Sequence, residues 1–119
     1  MVSKRERQQF GAFVRREREA RDIGLREMAK MIGVSPTYLS KVERDEFPPP
    51  AEGKVKAIAI IIECDPDDLL ARAGRVSSDI SDIIKRQPVK LAALLRTSKN
   101  LTAEDIGRLI RQVEKANKP

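Results

Sequence analysis

The chain has 119 residues and a net charge of +6, with 40% of its residues apolar and 35% charged. That length fits one compact domain, or a small domain with an appendage, and excludes two full-sized ones. With a single cysteine, Cys64, and no histidine, an internal disulfide, a Cys/His zinc site, a Ser-His-Asp triad and a Cys-His nucleophile are excluded; neither an enzyme built on those groups nor a metal or other cofactor is expected.

The aromatic share is only 3%, so the core is aliphatic and suited to packed helices rather than a sheet. The acidic residues lie on charge-interleaved helical segments, where a solvated face is their ordinary role. A first helix is expected to start at Ser3, whose spacing from Glu6 is that of a capping box, and to run to about Arg21 with Phe10, Phe13, Val14 and Ala20 as its core stripe. Its opening residues are too charged for a signal peptide, and no stretch approaches the ~18 apolar residues of a membrane span. A cytoplasmic protein without a membrane partner is therefore expected. Leu25, Met28, Ala29 and Ile32 then mark a short second helix ended by Gly33. Ser35 and Pro36 are a favoured N-cap and first helical residue, so a third helix begins at Pro36, with Leu39 and Val42 inward and Thr37, Tyr38, Ser40, Lys41 and Arg44 outward.

Pro48-Pro49-Pro50 forces an extended connection. A fourth helix follows over 52–62 with Val55, Ile58, Ala59 and Ile62 on its core face, which leaves Ile60 and Ile61 off that face and in need of a cover. Cys64, just beyond, reads as a buried and unreactive core residue. Asp65-Pro66 opens a fifth helix that stops at Gly74, Ser78 starts a sixth, Pro88 a seventh, and Thr102 an eighth bearing Ile106, Leu109, Ile110 and Val113 at i, i+3, i+4 and i+7.

Two short helices joined by a Gly-containing turn, in GLREMAKMIGVSPTYLSKVERD, form a helix-turn-helix candidate. Ala29 is small enough for the third helix to cross closely, and Gly33 makes the turn. By spacing alone an ordinary αα-corner fits as well. The segments FGAFVRREREAR, MAKMIGVSPTYLSKVERD and ECDPDDLL resemble, in order and spacing, the Cro/C1-type, or XRE-type, helix-turn-helix regulators. The resemblance, over about Phe10 to Leu70, implies a five-helix lambda-repressor-like DNA-binding module, expected over residues 1–75; with the helices read beyond it the fold is expected to be all-α, with a C-terminal helical extension over 76–119. The resemblance also implies a homodimer on two-fold symmetric double-stranded DNA, and a structural ion pair between Arg18 and Glu43. By position it assigns base contacts to Pro36, Thr37 and Lys41, and backbone or supporting roles to Ser35, Tyr38, Ser40 and Arg44.

The chain departs from the family at Gly24-Leu25, where a capping residue and a glutamine are usual; Arg26 is the neighbour able to replace the lost phosphate contact. It departs again at Asp45, where glycine is common, and at the apolar Ile60 and Ile61. The extension is too short for a core of its own, so Ile60, Ile61, Ile106, Leu109, Ile110 and Val113 are expected to dimerise the chain. The expected function is a dimeric repressor-type transcriptional regulator. An antitoxin-like autoregulator, whose C-terminal helices bind a protein partner, is the alternative; an interaction domain that lost DNA binding conflicts with a third helix carrying Thr37, Lys41 and Arg44.

Overall fold

A computed structural model describes the backbone of residues 4–118 and the side chains of residues 10–118. The Ser3–Glu6 capping box lies outside what is described. Among the described residues there are eight helices and no strand: α1 (Lys4–Ala20), α2 (Leu25–Ile32), α3 (Pro36–Glu43), α4 (Glu52–Ile61), α5 (Pro66–Arg72), α6 (Ser78–Arg86), α7 (Pro88–Thr97) and α8 (Ala103–Ala116). The fold is all-α, a five-helix lambda-repressor-like module followed by a helical extension. The chain divides into two compact units between Ser78 and Asp79.

In the first unit α1 packs on α3 and α5, α2 on α3 and α4, and α4 on α5. The stripes converge on one core containing Phe10, Val14, Met28, Ala29, Ile32, Leu39, Val42, Val55, Ile58, Ala59, Ile62, Leu69 and Leu70. Aliphatic side chains dominate it, as the low aromatic content requires. Four positions differ from the periodicity. Ala20 is exposed, because α1 ends there and its last turn runs past the core. Ile61 is half-buried against the core, while Ile60 remains 74% exposed. Tyr38 is not directed wholly outward but is half-buried against the core. Cys64 is half-buried rather than buried; burial, with Asp68 adding to it, still raises its thiol above the ordinary range and disfavours the reactive thiolate.

Several long-range contacts close the unit. Gly11 is buried where α1 meets the end of α3, and a Cβ there would stand 2.6 Å from the Val42 carbonyl oxygen and 2.8 Å from that of Glu43. Neither backbone oxygen is free to retreat. Gly11→Ala is therefore expected to destabilise the unit by about 1–3 kcal/mol, the usual range for overpacking, although alanine is the better helix former; a denaturation midpoint equal to or above that of the parent would contradict this close approach. Lys54 donates from Nζ to the Ile32 carbonyl at 2.7 Å and so satisfies the end of α2. The proline run is extended, with Pro49 and Pro50 buried; Arg75 donates from Nη2 to the Pro49 carbonyl at 2.8 Å and from Nη1 to that of Pro50.

The second unit differs in kind. None of α6, α7 or α8 contributes a buried residue, although α8 has a complete capping box: Thr102 Oγ1 accepts from Asp105 N and Asp105 Oδ2 from Thr102 N, both at 3.1 Å. Ile106, Leu109, Ile110 and Val113 are 41–59% exposed along α8. Among the described residues no helix is long and apolar enough to cross a membrane, and no group of His, Cys, Asp or Glu is placed to hold a metal ion.

Candidate nucleic-acid interface

The turn between α2 and α3 is built from local signals. Gly33 takes φ 76° and ψ 36°, the left-handed conformation that glycine enters without strain. It lets Val34 N return to the Ala29 carbonyl at 2.9 Å. Ser35 is extended and its Oγ accepts from Tyr38 N at 3.1 Å, while Pro36 occupies the first turn of α3. Ser35 is thus a cap for α3, a role that leaves its hydroxyl engaged with the backbone. At the start of α2, Gly24 N donates to Glu27 Oε1 at 3.2 Å, so the Glu27 side chain supplies a cap that glycine itself lacks.

Leu39, Val42 and Glu43 bury the inner face of α3. The pair that holds this helix to α1 is bidentate: Arg18 donates from Nε to Glu43 Oε2 and from Nη2 to Glu43 Oε1, each at 2.9 Å. Both side chains are almost fully removed from solvent. Arg18 also donates from Nη1 to the Ile23 carbonyl at 2.8 Å, tying the α1–α2 turn to the same group. The hydrogen bond to Glu43 holds the guanidinium above its ordinary pKa, against the opposing effect of burial.

The outer face opens onto a cleft of about 510 Å³ lined by Gly24, Leu25, Arg26, Pro36, Thr37, Ser40 and Arg44. Beside it a second cleft of about 360 Å³ adds Arg15 to Ser40 and Arg44. Arg26, Thr37 and Arg44 are exposed, and Pro36 and Ser40 half-buried. Arg15 from α1 and Arg26 from α2 thus line two neighbouring clefts that share Ser40 and, at the C-terminal end of α3, Arg44. Arg44 is partly engaged, by Glu46 at 3.0 Å and by the Ser40 carbonyl at 3.3 Å. Tyr38 and Lys41 do not line this cleft; they lie on the flank of α3 that faces Phe47. Of the residues proposed for dimerisation, Ile60 and Ile61 belong to the first unit and the α8 set to the second.

Residues 9–73 match the family model of a helix-turn-helix domain, more than half of the chain. The chain belongs to this helix-turn-helix family. Within it, it is 38% identical over 64 residues to an uncharacterized HTH-type transcriptional regulator of Mycobacterium tuberculosis, found in two strains. That match covers 54% of this chain and 45% of the relative, so the chain spans less than half the length of the curated relatives it matches. Among solved structures, a crystal structure of the clp gene regulator ClgR from Corynebacterium glutamicum aligns at a TM-score of 0.51 and 27% identity, covering 78% of this chain and 93% of ClgR. A second ClgR crystal structure aligns at 0.49 and 30% identity, over 58% of this chain and 88% of that one. The family model and the HTH-type regulators that the chain matches in sequence support an XRE-like helix-turn-helix regulator family.

Two residues of this region escaped the sequence reading. Arg15 was one charged residue among many on α1, with no local signal to separate it. Phe47 had one: with three Phe, one Tyr and no Trp in the chain, an aromatic directly after the motif is conspicuous by type.

Proposed function

We propose that this chain is a sequence-specific DNA-binding transcriptional regulator of the repressor type, acting as a homodimer on a two-fold symmetric operator without a cofactor and without enzymatic activity. The observation that carries the reading is the cleft beside the outer face of α3, lined by Thr37 and Ser40 together with Arg26 and Arg44. A helix that presents polar side chains with arginines beside them suits a major groove about 12 Å wide between two phosphate backbones.

In this reading Thr37 and Pro36 meet base edges, the former as donor, acceptor or partner of a thymine methyl, the latter through apolar contact alone. Lys41 donates to guanine O6 and N7. Arg26, Arg44, Ser40 and the missed Arg15 serve the backbone, with Ser35 and Tyr38 in support. The exposed apolar residues of α8, with Ile60, join two copies so that two recognition helices stand ~34 Å apart. The cell compartment that fits this activity is the cytoplasm.

Binding to duplex DNA is expected to weaken steeply with salt, by roughly 10³–10⁵ between 50 and 200 mM for six to ten phosphate contacts. Affinity that stays flat over that range would exclude the reading. Lys41→Ala is expected to cost about 1–3 kcal/mol on the operator and to relax the preference at one position of each half-site. Equal losses on operator and random duplex would remove Lys41 from base recognition.

A further inference from the structure

The segment after α3 folds back onto the recognition helix in a way that base recognition alone does not require. Asp45 takes φ 64°, reversing the chain, and both Glu46 N and Phe47 N then donate to the Lys41 carbonyl, at 2.8 and 3.2 Å. The backbone of Phe47 is thereby pinned to the residue whose side chain its ring also meets: Lys41 Nζ lies 5.0 Å from the centre of the Phe47 ring. The same ring stands 5.8 Å from that of Tyr38 at 45°, and Tyr38 is itself packed against the core. On the other side Phe47 precedes Pro48, which restricts its backbone, and the carbonyls of Pro49 and Pro50 are gripped by Arg75. An aromatic that is 39% exposed is thus tied through its backbone to Lys41 and through its ring to Tyr38 and Lys41.

Lysine has a flexible four-carbon stem and no preferred docking geometry of its own. A lysine used to choose a base needs an external guide. We propose that Phe47 is a positioning residue for Lys41: its ring face holds the ammonium by a cation–π contact, with Tyr38 as backstop, and so sets which base pair Lys41 reads. This inference rests on the DNA-binding reading above.

The test compares the full-length parent, Phe47→Leu, Phe47→Tyr and Lys41→Ala on three probes: the duplex enriched by the parent from a random pool, its single base-pair variants, and random duplex. Phe47→Leu keeps apolar bulk and removes the π face. It is expected to narrow the discrimination at the base pair sensitive to Lys41→Ala by about two- to fivefold, the scale of an exposed cation–π contact, with affinity for random duplex unchanged. Phe47→Tyr is expected to restore the parent's value, and Phe47→Leu to add nothing in the Lys41→Ala background. In the free protein the ring current should shift the Lys41 ε-methylene protons upfield in the parent and in Phe47→Tyr but not in Phe47→Leu. Unchanged discrimination in Phe47→Leu, or an equal loss on all duplexes that persists without Lys41, would overturn the positioning role. A parent that binds no duplex, with the upfield shift intact, would overturn the DNA-binding reading instead and the recognition role with it.

Discussion

Glu43→Ala is expected to destabilise the N-terminal unit by about 3–5 kcal/mol, the range for leaving one partner of a buried ion pair without the other. The cost comes less from the lost attraction than from the group left behind. Arg18 meets Glu43 through two donors at 2.9 Å and the Ile23 carbonyl through a third at 2.8 Å, and without the carboxylate two of those three donors lose their partner. Arg18→Ala is expected to be at least as damaging, since it strands the Glu43 carboxylate and frees the Ile23 carbonyl beside Asp22, which already sits at φ 54°. Replacing both together with apolar residues of similar volume, Arg18→Met with Glu43→Leu, should lose far less than either single change, because no charge is stranded. Urea denaturation of the four proteins measures this. A loss below about 1 kcal/mol for Glu43→Ala, the scale of an exposed pair, would show that the pair is solvated.

Removal of residues 79–119 is expected to leave a folded, monomeric unit with 10²–10⁴-fold weaker operator affinity, the gain lost when two linked half-site contacts become independent. The cut belongs after Ser78, not after residue 75. Ser77 is buried and accepts from Lys56 Nζ at 3.1 Å, and Ser78 donates from N and Oγ to Glu52 at 3.0 and 2.9 Å; cutting earlier would damage the first unit and confuse folding with assembly. The first unit has its own core, whereas α6, α7 and α8 bury no residue. Apolar surface left in water is unfavourable by ~25 cal/mol per Å², so the faces of α8 require a cover that a second copy supplies in the proposed dimer. Sedimentation of the truncated chain decides. A truncated protein that stays dimeric would assign dimerisation to the first unit and the extension to a different protein partner, as an antitoxin-like regulator would use it.

The helices were legible because their ends carry chemistry that acts within four residues. Gly33, Ser35-Pro36, Asp65-Pro66 and Thr102 each stop or start an element by local backbone geometry, and local rules reach that far. The contacts that join elements do not have that character. Gly11 is needed because two carbonyls from α3 arrive from 31 and 32 residues away, and Lys54 and Arg75 satisfy carbonyls across 22 and 25–26 residues; no periodicity records such meetings. Ile61 was misplaced for a related reason: three consecutive isoleucines at a helix end leave the core direction open until the next element turns. Ile62 is the cap residue of α4, and the chain there bends so that both Ile61 and Ile62 face inward. At the interface, the motif located the outward face of α3, but periodicity does not tell that Tyr38 and Lys41 share a flank with Phe47 while Thr37 and Ser40 open onto the cleft.

The central claim, that α3 reads DNA sequence as one of a symmetric pair, is tested most directly by selecting bound sequences from a pool of random duplexes with the full-length chain. The account predicts an enriched consensus made of two inverted half-sites whose centres lie about one helical turn, 10–10.5 base pairs, or a multiple of it apart, and whose enrichment at one position per half-site vanishes in Lys41→Ala. A pool that shows no enrichment over its input, under salt low enough for binding to be detected, would contradict it.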